Sequence, residues 1–308
     1  MHAFVFPGQG AQFVGMGKDL YDNVPLAKEL FDRANEILGF PITDIMFAGT
    51  DEQLKQTKVT QPAIFLHSVI LARSLGDAFK PDMAAGHSLG EFSALVAAGA
   101  LGFEDGLKLV SKRAMAMQKA CEQNPSTMAA IIALPDEKVE EICASVDGVV
   151  VPANYNCPGQ LVIGGEKAAV DKAAALAKEA GARRCIPLKV SGPFHTRLMA
   201  PAGDALAKRF AAEPFGEMSV PVLFNCLGRE KAESDSIPAL LVRQVQSSVY
   251  MEDTLHRLGE LGVDHILEVG PGNALSGFVK KTLPGVTCVS VETPAQLDTV
   301  LNAWKEEQ

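Results

Sequence analysis

The chain has 308 residues, 47% of them hydrophobic, 21% charged and 6% aromatic, and carries a formal net charge of −9. That length suggests one large domain or two moderate ones, and the aliphatic content excludes a disordered or low-complexity protein. Lys and Arg total 28 against 37 Asp and Glu with no long basic run, which argues against nucleic acid as a partner.

No stretch nears the ~20 apolar residues that span a membrane, so no membrane association is expected. Cysteines at 121, 143, 157, 185, 226 and 288 form no CxxC and no Cys/His cluster of zinc spacing, so no metal site is expected. Scattered thiols point to a reducing cytoplasm. A chain this long can bury enough apolar surface to need neither disulfides nor a structural metal. Met1 to Gly10 reads as a strand and a Pro-Gly turn, without the basic and apolar regions of a signal peptide.

Short apolar runs alternate with longer helical patterns, the rhythm of an α/β fold. Residues 2–6 (HAFVF) read as a strand, followed by a glycine-rich turn and a helix near 17–38. A second helix is expected from about Thr60, with Pro62 in its first turn, where the missing N–H costs nothing. Asp82 to Gly86 reads as a short strand running directly into a helix that ends at Gly99. In the helix near 103–121, Leu107, Val110, Ala114, Met117 and Cys121 form one apolar stripe, with Arg113 at its edge.

Residues 126–190 behave as a separate unit. Strand (127–134), helix (136–146), strand (149–154), strand (161–164), helix (166–180) and strand (184–190) give β-α-β-β-α-β, the split βαβ order of ferredoxin-like domains. Asn156-Cys157-Pro158-Gly159 supplies the central turn. After Ser191-Gly192-Pro193 the α/β rhythm resumes, with strands expected at 220–225, 265–269 and 287–291. The expected organisation is therefore a discontinuous core, 1–125 plus 191–308, carrying 126–190 as an insertion.

Gly86-His87-Ser88-Leu89-Gly90 is a G-x-S-x-G between a strand and a helix. Such a turn exposes a serine Oγ above a helix N-terminus whose N–H groups can hold an oxyanion. Ser88-Leu89-Gly90-Glu91 is also a capping box, but an ordinary cap needs neither flanking glycine nor the preceding strand, so Ser88 reads as a nucleophile. The nucleophile needs a base. His87 adjoins Ser88 with a diverging side chain, His67 lies in an apolar helix, and His256 and His265 read as surface or strand-edge residues. His195, in a loop at the return from the inserted unit, could face the cleft between the two units, though the residues alone leave the choice of base open. No acidic residue between 88 and 195 stands out as a third member, which favours a Ser–His dyad.

Phe6-Pro7-Gly8-Gln9-Gly10 is neither a dinucleotide fingerprint, since Phe13 replaces the third glycine, nor a P-loop. Alone it reads as a plain glycine turn, although its backbone N–H could face a site at a strand end.

Together these segments resemble the malonyl-CoA:acyl-carrier-protein transacylase family. The segments are FPGQG (6–10), TQPA (60–63), GHSLGE (86–91), KRAMAMQ (112–118), NYNCPGQ (154–160), GPFHT (192–196), VRQ (242–244) and EVGPGNALSG (268–277). The resemblance implies an α/β-hydrolase-like core with a ferredoxin-like subdomain. It implies Ser88 as nucleophile and His195 as general base and acid, oriented by a main-chain carbonyl with Gln244 nearby. It places the Gln9 and Leu89 N–H groups at the oxyanion and pairs Arg113 with the malonyl carboxylate. Without it, Arg113 beside Lys112 would read as a solvated helix residue. Ala114 departs from the glycine that many relatives have after the arginine, while Phe194 is similar to malonyl-selective members.

The function so implied is malonyl transfer from malonyl-CoA, the donor substrate, to the phosphopantetheine thiol of acyl carrier protein in fatty-acid synthesis. No permanently bound cofactor and a monomeric chain are expected. A trans-acting acyltransferase of a polyketide pathway, a serine esterase and a non-catalytic scaffold are the competing readings. Acyl carrier proteins are acidic, so docking on this acidic chain demands a local basic patch, for which Arg183-Arg184-Lys189 and Lys280-Lys281 are candidates.

Overall fold

The computed structural model describes residues 1–76, 81–123, 125–190 and 192–306. The chain opens with β1 (His2–Phe6), α1 (Lys18–Asn23) and α2 (Pro25–Leu38). The single helix expected near 17–38 is therefore two. Pro25 brings no N–H, and Val24 before it takes extended backbone (φ −118°, ψ 109°), which separates them. Short helices α3 (Ile42–Ala48) and α4 (Asp51–Leu54) follow, the second closed by a capping box between Thr50 and Gln53. Helix α5 (Thr57–Ser74) starts before the expected Thr60, so Pro62 lies inside it, where it brings no N–H for the i→i−4 bond to the Lys58 carbonyl. Every side chain from Val59 to Leu71 is buried, and that packing holds the helix despite the proline.

Strand β2 (Met83–Gly86) leads through a tight turn into α6 (Gly90–Ala97), and α7 (Phe103–Cys121) has the bounds its apolar stripe implies. Residues 126–190 hold β3 (Ser126–Ile132), α8 (Asp136–Ser145), β4 (Val150–Cys157), β5 (Gln160–Glu166), α9 (Lys167–Glu179) and β6 (Arg184–Pro187). The central turn shrinks to Pro158-Gly159, because Asn156 and Cys157 continue β4. Ser191, where the chain is expected to leave this unit, lies outside the described residues. The remaining elements are α10 (Ala200–Ala211), β7 (Val222–Phe224), β8 (Arg229–Glu230), α11 (Ile237–Gln246), β9 (Val249–Tyr250), α12 (Met251–Glu260), β10 (His265–Val269), α13 (Ala274–Thr282), β11 (Thr287–Val291) and α14 (Pro294–Glu306).

The result is a mixed α/β protein with two sheets. The larger runs β11-β10-β1-β2-β7-β8, parallel throughout except for the last pairing. The smaller runs β6-β3-β5-β4-β9, antiparallel except where β9 joins β4. Strand β9 thus extends the small sheet with residues from the far side of the sequence.

Alternation along the strands divides the interior. On β1, Phe4 and Phe6 pack into the main cluster with α5, α6 and α7, while Ala3 and Val5 face Met251, Leu255 and Val279 of α12 and α13. Ile131, Leu161 and Ile163 of the small sheet pack on α8 and α9 as a third cluster, and Met128, Ala130 and Val162 turn towards the main one. Among the described residues no helix is long and apolar enough to cross a membrane.

Candidate active site

Parallel pairing sets β1, β2 and β7 side by side, so the residues just past their carboxyl ends converge, where α/β sheets bind ligands. These residues are Gln9, Ser88 and Asn225. The Gly86–Gly90 turn is tight because neither glycine has room for a side chain. A Cβ on Gly90 would run into the Phe6 carbonyl, and one on Gly86 into the Gly90 backbone. Ser88 between them is left-handed (φ 51°), a strained backbone for a residue other than glycine, and its side chain is buried. The capping box does not form: Leu89 is the N-cap of α6, and no side chain caps it.

His195 meets Ser88 across this turn. The Ser88 hydroxyl donates to His195 Nε2 at 2.7 Å, and His195 Nδ1–H donates to the Gln244 main-chain carbonyl at 2.8 Å. A carbonyl can only accept, so the proton sits on Nδ1 and the Nε2 lone pair faces the serine. His195 is also left-handed (φ 61°). Its loop is fixed by Thr196, whose Oγ1 donates to the Pro193 carbonyl at 2.8 Å and accepts from Leu198 N–H at 3.2 Å. Burial and the nearby Arg113 charge push the imidazole down to about 3, so it is neutral at physiological pH.

Arg113 does not sit at the edge of its helix stripe in solvent; it is 0% exposed. Nη1 donates to Gln61 Oε1 at 2.7 Å, and Nη2 donates to Gln244 Oε1 at 2.9 Å and to Ser88 Oγ at 3.1 Å. The guanidinium carbon lies 5.5 Å over the Phe92 ring. Among the described residues no carboxylate lies within ion-pair distance of it. Burial lowers its pKa to about 10, with Glu91 opposing, so it remains charged. A buried cation held only by neutral acceptors is an incomplete pair that an anionic ligand group can complete.

Gln244, near the end of α11, joins all of these. Besides its carbonyl on His195 and its Oε1 on Arg113, its Nε2 donates to the Ser88 carbonyl at 2.8 Å. Helix α11 is started by Ser236, whose Oγ accepts from Ala239 N–H at 3.3 Å. Gln9 borders the same space, its Nε2 3.5 Å from Thr57 Oγ1 and its Oε1 3.5 Å from Gln61 Nε2. The backbone N–H groups of Gln9 and Leu89 donate to no protein acceptor among the described residues.

The other histidines are elsewhere or otherwise engaged. His87 Nε2 pairs with Asn156 Oδ1 at 2.8 Å, turned away from Ser88 Oγ. His67 is fully buried in α5. His2 and His265 sit together at the opposite end of the large sheet, ring centroids 5.2 Å apart, and His256 faces Glu252 at 3.8 Å on α12. Among the described residues no three His, Cys, Asp or Glu side chains cluster as a metal set would.

The sequence reading did not single out Gln61, Asn156, Glu91 or Asn225 as site residues. Gln61 and Asn156 lie within the TQPA and NYNCPGQ segments, but no spacing rule marks them. Asn225 closes the expected strand 220–225, but only the sheet order shows that strand to lie beside β2.

The site thus sets a histidine nitrogen and a buried arginine on one serine hydroxyl, in a tight turn at the end of a parallel strand. The chain belongs to the acyl transferase domain family, whose model matches residues 3–306. Its relatives narrow the class. It is 42% identical to the malonyl CoA-acyl carrier protein transacylase of Bacillus subtilis, over 99% of this chain and 98% of that one. The crystal structure of the transacylase of the same name from Clostridium perfringens superposes with a TM-score of 0.95 at 40% identity, covering 99% and 98% of the two chains. A malonyl-transacylase solved in complex with a type II PKS acyl-carrier protein is similar too, with a TM-score of 0.95 at 38% identity over 98% and 99%.

Proposed function

We propose that this chain moves a malonyl group from malonyl-CoA to the phosphopantetheine thiol of acyl carrier protein, supplying fatty-acid synthesis, through a malonyl ester on Ser88. The observation that carries the mechanism is the run from the Gln244 carbonyl through His195 to the Ser88 hydroxyl, with Arg113 on the same oxygen. The full-length likeness to malonyl CoA-acyl carrier protein transacylases supports the substrate and the acceptor.

Neutral His195 takes the Ser88 proton as Oγ attacks the thioester carbonyl. The resulting oxyanion is held by the Gln9 and Leu89 N–H groups. Collapse expels the coenzyme A thiolate, to which protonated His195 returns the proton, leaving malonyl-Ser88. Arg113 pairs with the free malonyl carboxylate throughout, through a planar fork that lysine cannot reproduce. The carrier thiol then gives its proton to His195, attacks the ester, and the Ser88 hydroxyl is restored. The direct test is intact mass after mixing with malonyl-CoA. A malonyl adduct is expected on the native chain and none on Ser88→Ala; an adduct that survives the substitution removes Ser88 from the mechanism.

The fold reading extends likewise. An α/β-hydrolase-like core, 1–125 plus 191–308, carries 126–190 as a ferredoxin-like subdomain. Supporting this are the β-α-β-β-α-β order, the antiparallel run β6-β3-β5-β4 and a separate apolar cluster on α8 and α9. The carrier protein docks at the rim between the two units. Lys280 and Lys281 lie there on α13, whose Phe278 ring faces His87 (centroids 6.3 Å apart), and Lys281 Nζ reaches Gln160 Oε1 at 3.3 Å. Arg183 and Arg184 are exposed at the outer end of β6, beside the edge of the small sheet.

A further inference from the structure

Ser88 is held in its left-handed conformation by side chains on both of its flanking peptide groups. Asn225 Oδ1 accepts the Ser88 N–H at 2.6 Å and Asn225 Nδ2 donates to the Gly86 carbonyl at 2.5 Å. A backbone N–H can only donate and a carbonyl only accept, so the orientation of this amide is fixed by its partners. On the other side of the residue, Gln244 Nε2 donates to the Ser88 carbonyl at 2.8 Å. Asn225 is itself anchored: its own N–H donates to Glu91 Oε2 at 2.6 Å, and both side chains are 0% exposed. Glu91 comes from the first turn of the helix that Ser88 leads into, so the link closes from the nucleophile turn to the neighbouring strand and back.

We propose that Asn225, anchored by Glu91, is a positioning residue that locks the Ser88 turn and, by occupying the Ser88 N–H, leaves the Leu89 N–H as the turn's donor to the oxyanion. The inference rests on Ser88 being the nucleophile. A serine at positive φ relaxes towards ordinary backbone when nothing holds its N–H. Relaxation would rotate both Oγ away from His195 and the following N–H away from the oxyanion. Glu91 is a costly residue to bury: its carboxyl is raised to about 7 by burial, against the Asn225 N–H and the Arg113 charge. A leucine would fill that volume without the cost but could not accept the Asn225 N–H.

The test measures single-turnover acylation by malonyl-CoA together with KM and thermal stability. In Asn225→Ala the acylation rate should fall roughly 10²-fold while KM for malonyl-CoA stays within about twofold, because Arg113 keeps its bonds to Gln61 and Gln244. Glu91→Leu should show the same split, and Glu91→Gln, whose amide oxygen can still accept the Asn225 N–H, should recover most of the lost rate. This rescue also decides the matter should Asn225→Ala fail to fold. Acylation at the native rate in Asn225→Ala, or equal rates in Glu91→Leu and Glu91→Gln, overturns the proposal. Absence of a Ser88 adduct on the native chain would instead overturn the reading beneath it.

Discussion

Arg113 and Ser88 share a hydrogen bond: Nη2 of the buried guanidinium lies 3.1 Å from the serine Oγ. A cation this close to the Ser88 hydroxyl can meet the far end of an acyl group carried there only if that end is near. In a malonyl ester one methylene separates the acyl carbonyl from the carboxylate, which keeps the charge beside the same arginine.

Replacing Arg113 by Ala should therefore cost malonyl transfer about 2–4 kcal/mol, roughly 30- to 1,000-fold in kcat/KM, while acetyl transfer is spared or rises. Arg113→Lys should recover little, since an ammonium replaces the fork by a single point of charge. Steady-state rates with malonyl-CoA and acetyl-CoA decide it. An equal loss for both acyl groups would mean that the arginine supports the site without reading the carboxylate.

The same arginine bears on His195. His195 is held at about 3 first by burial and then by the Arg113 charge. Acid inactivation requires the imidazole to gain a proton, so no histidine-like step near pH 6.5 is expected in the acylation rate. A bound malonyl carboxylate offsets the guanidinium, favours imidazolium and raises the His195 pKa. The acid limb should thus lie at higher pH with malonyl-CoA than with acetyl-CoA in single-turnover acylation. Coincident limbs for the two substrates would remove Arg113 as a control on the base.

Gln244 offers a way to separate its two roles. Its side chain serves Arg113 and the Ser88 carbonyl, whereas its main chain orients His195. Gln244→Ala deletes one charge-assisted and one neutral bond, so kcat/KM for malonyl-CoA should drop roughly 10- to 100-fold. The acid limb of the profile should stay where it is, since the carbonyl on Nδ1 remains. A displaced limb would show that the helix end itself had moved.

What the sequence could disclose, and what it could not, follows the range of the forces involved. The Gly86–Gly90 turn is local: two glycines, a serine and a short strand suffice to mark it, and the strand, turn and helix fold as read. The split of α1 from α2 was equally local, written in Pro25, yet the apolar pattern continued through it and masked the break. Pro62 inside α5 is the opposite case, because only the surrounding core, absent from any local window, makes that proline tolerable. Arg113 beside Lys112 reads as solvated until α5 and α11 supply Gln61 and Gln244. Those partners lie 52 and 131 positions away. Resemblance supplied their neighbourhood, and sheet order alone reveals Asn225.

The docking surface can be tested by charge. Lys280 and Lys281 stand on the helix that borders the site, whereas Arg183 and Arg184 stand at the outer sheet edge. Reversing both lysines to Glu should raise KM for acyl carrier protein roughly 5- to 30-fold, an effect that added salt diminishes. Reversing both arginines should do less. A KM that moves only for the arginine pair would shift the docking surface to β6.

His67 has no part in the proposed chemistry and makes a prediction about stability instead. It is 0% exposed within α5, and burial lowers its pKa from 6.5 to about 4. The unfolded chain therefore binds a proton at this residue below pH 6.5 that the folded chain refuses until about pH 4. The associated stability is fully present above pH 6.5 and is lost as pH falls towards 4, a total of about 3 kcal/mol. His87 and His195, also lowered by burial, add to the same acid slope. His67→Leu removes one of these protons, so urea-unfolding free energies between pH 7 and 4.5 should decline less steeply in the variant than in the native chain. The difference in slope should approach one proton near pH 5. Parallel declines would mean that the His67 ring is protonated in the folded core, and that a partner there holds its charge.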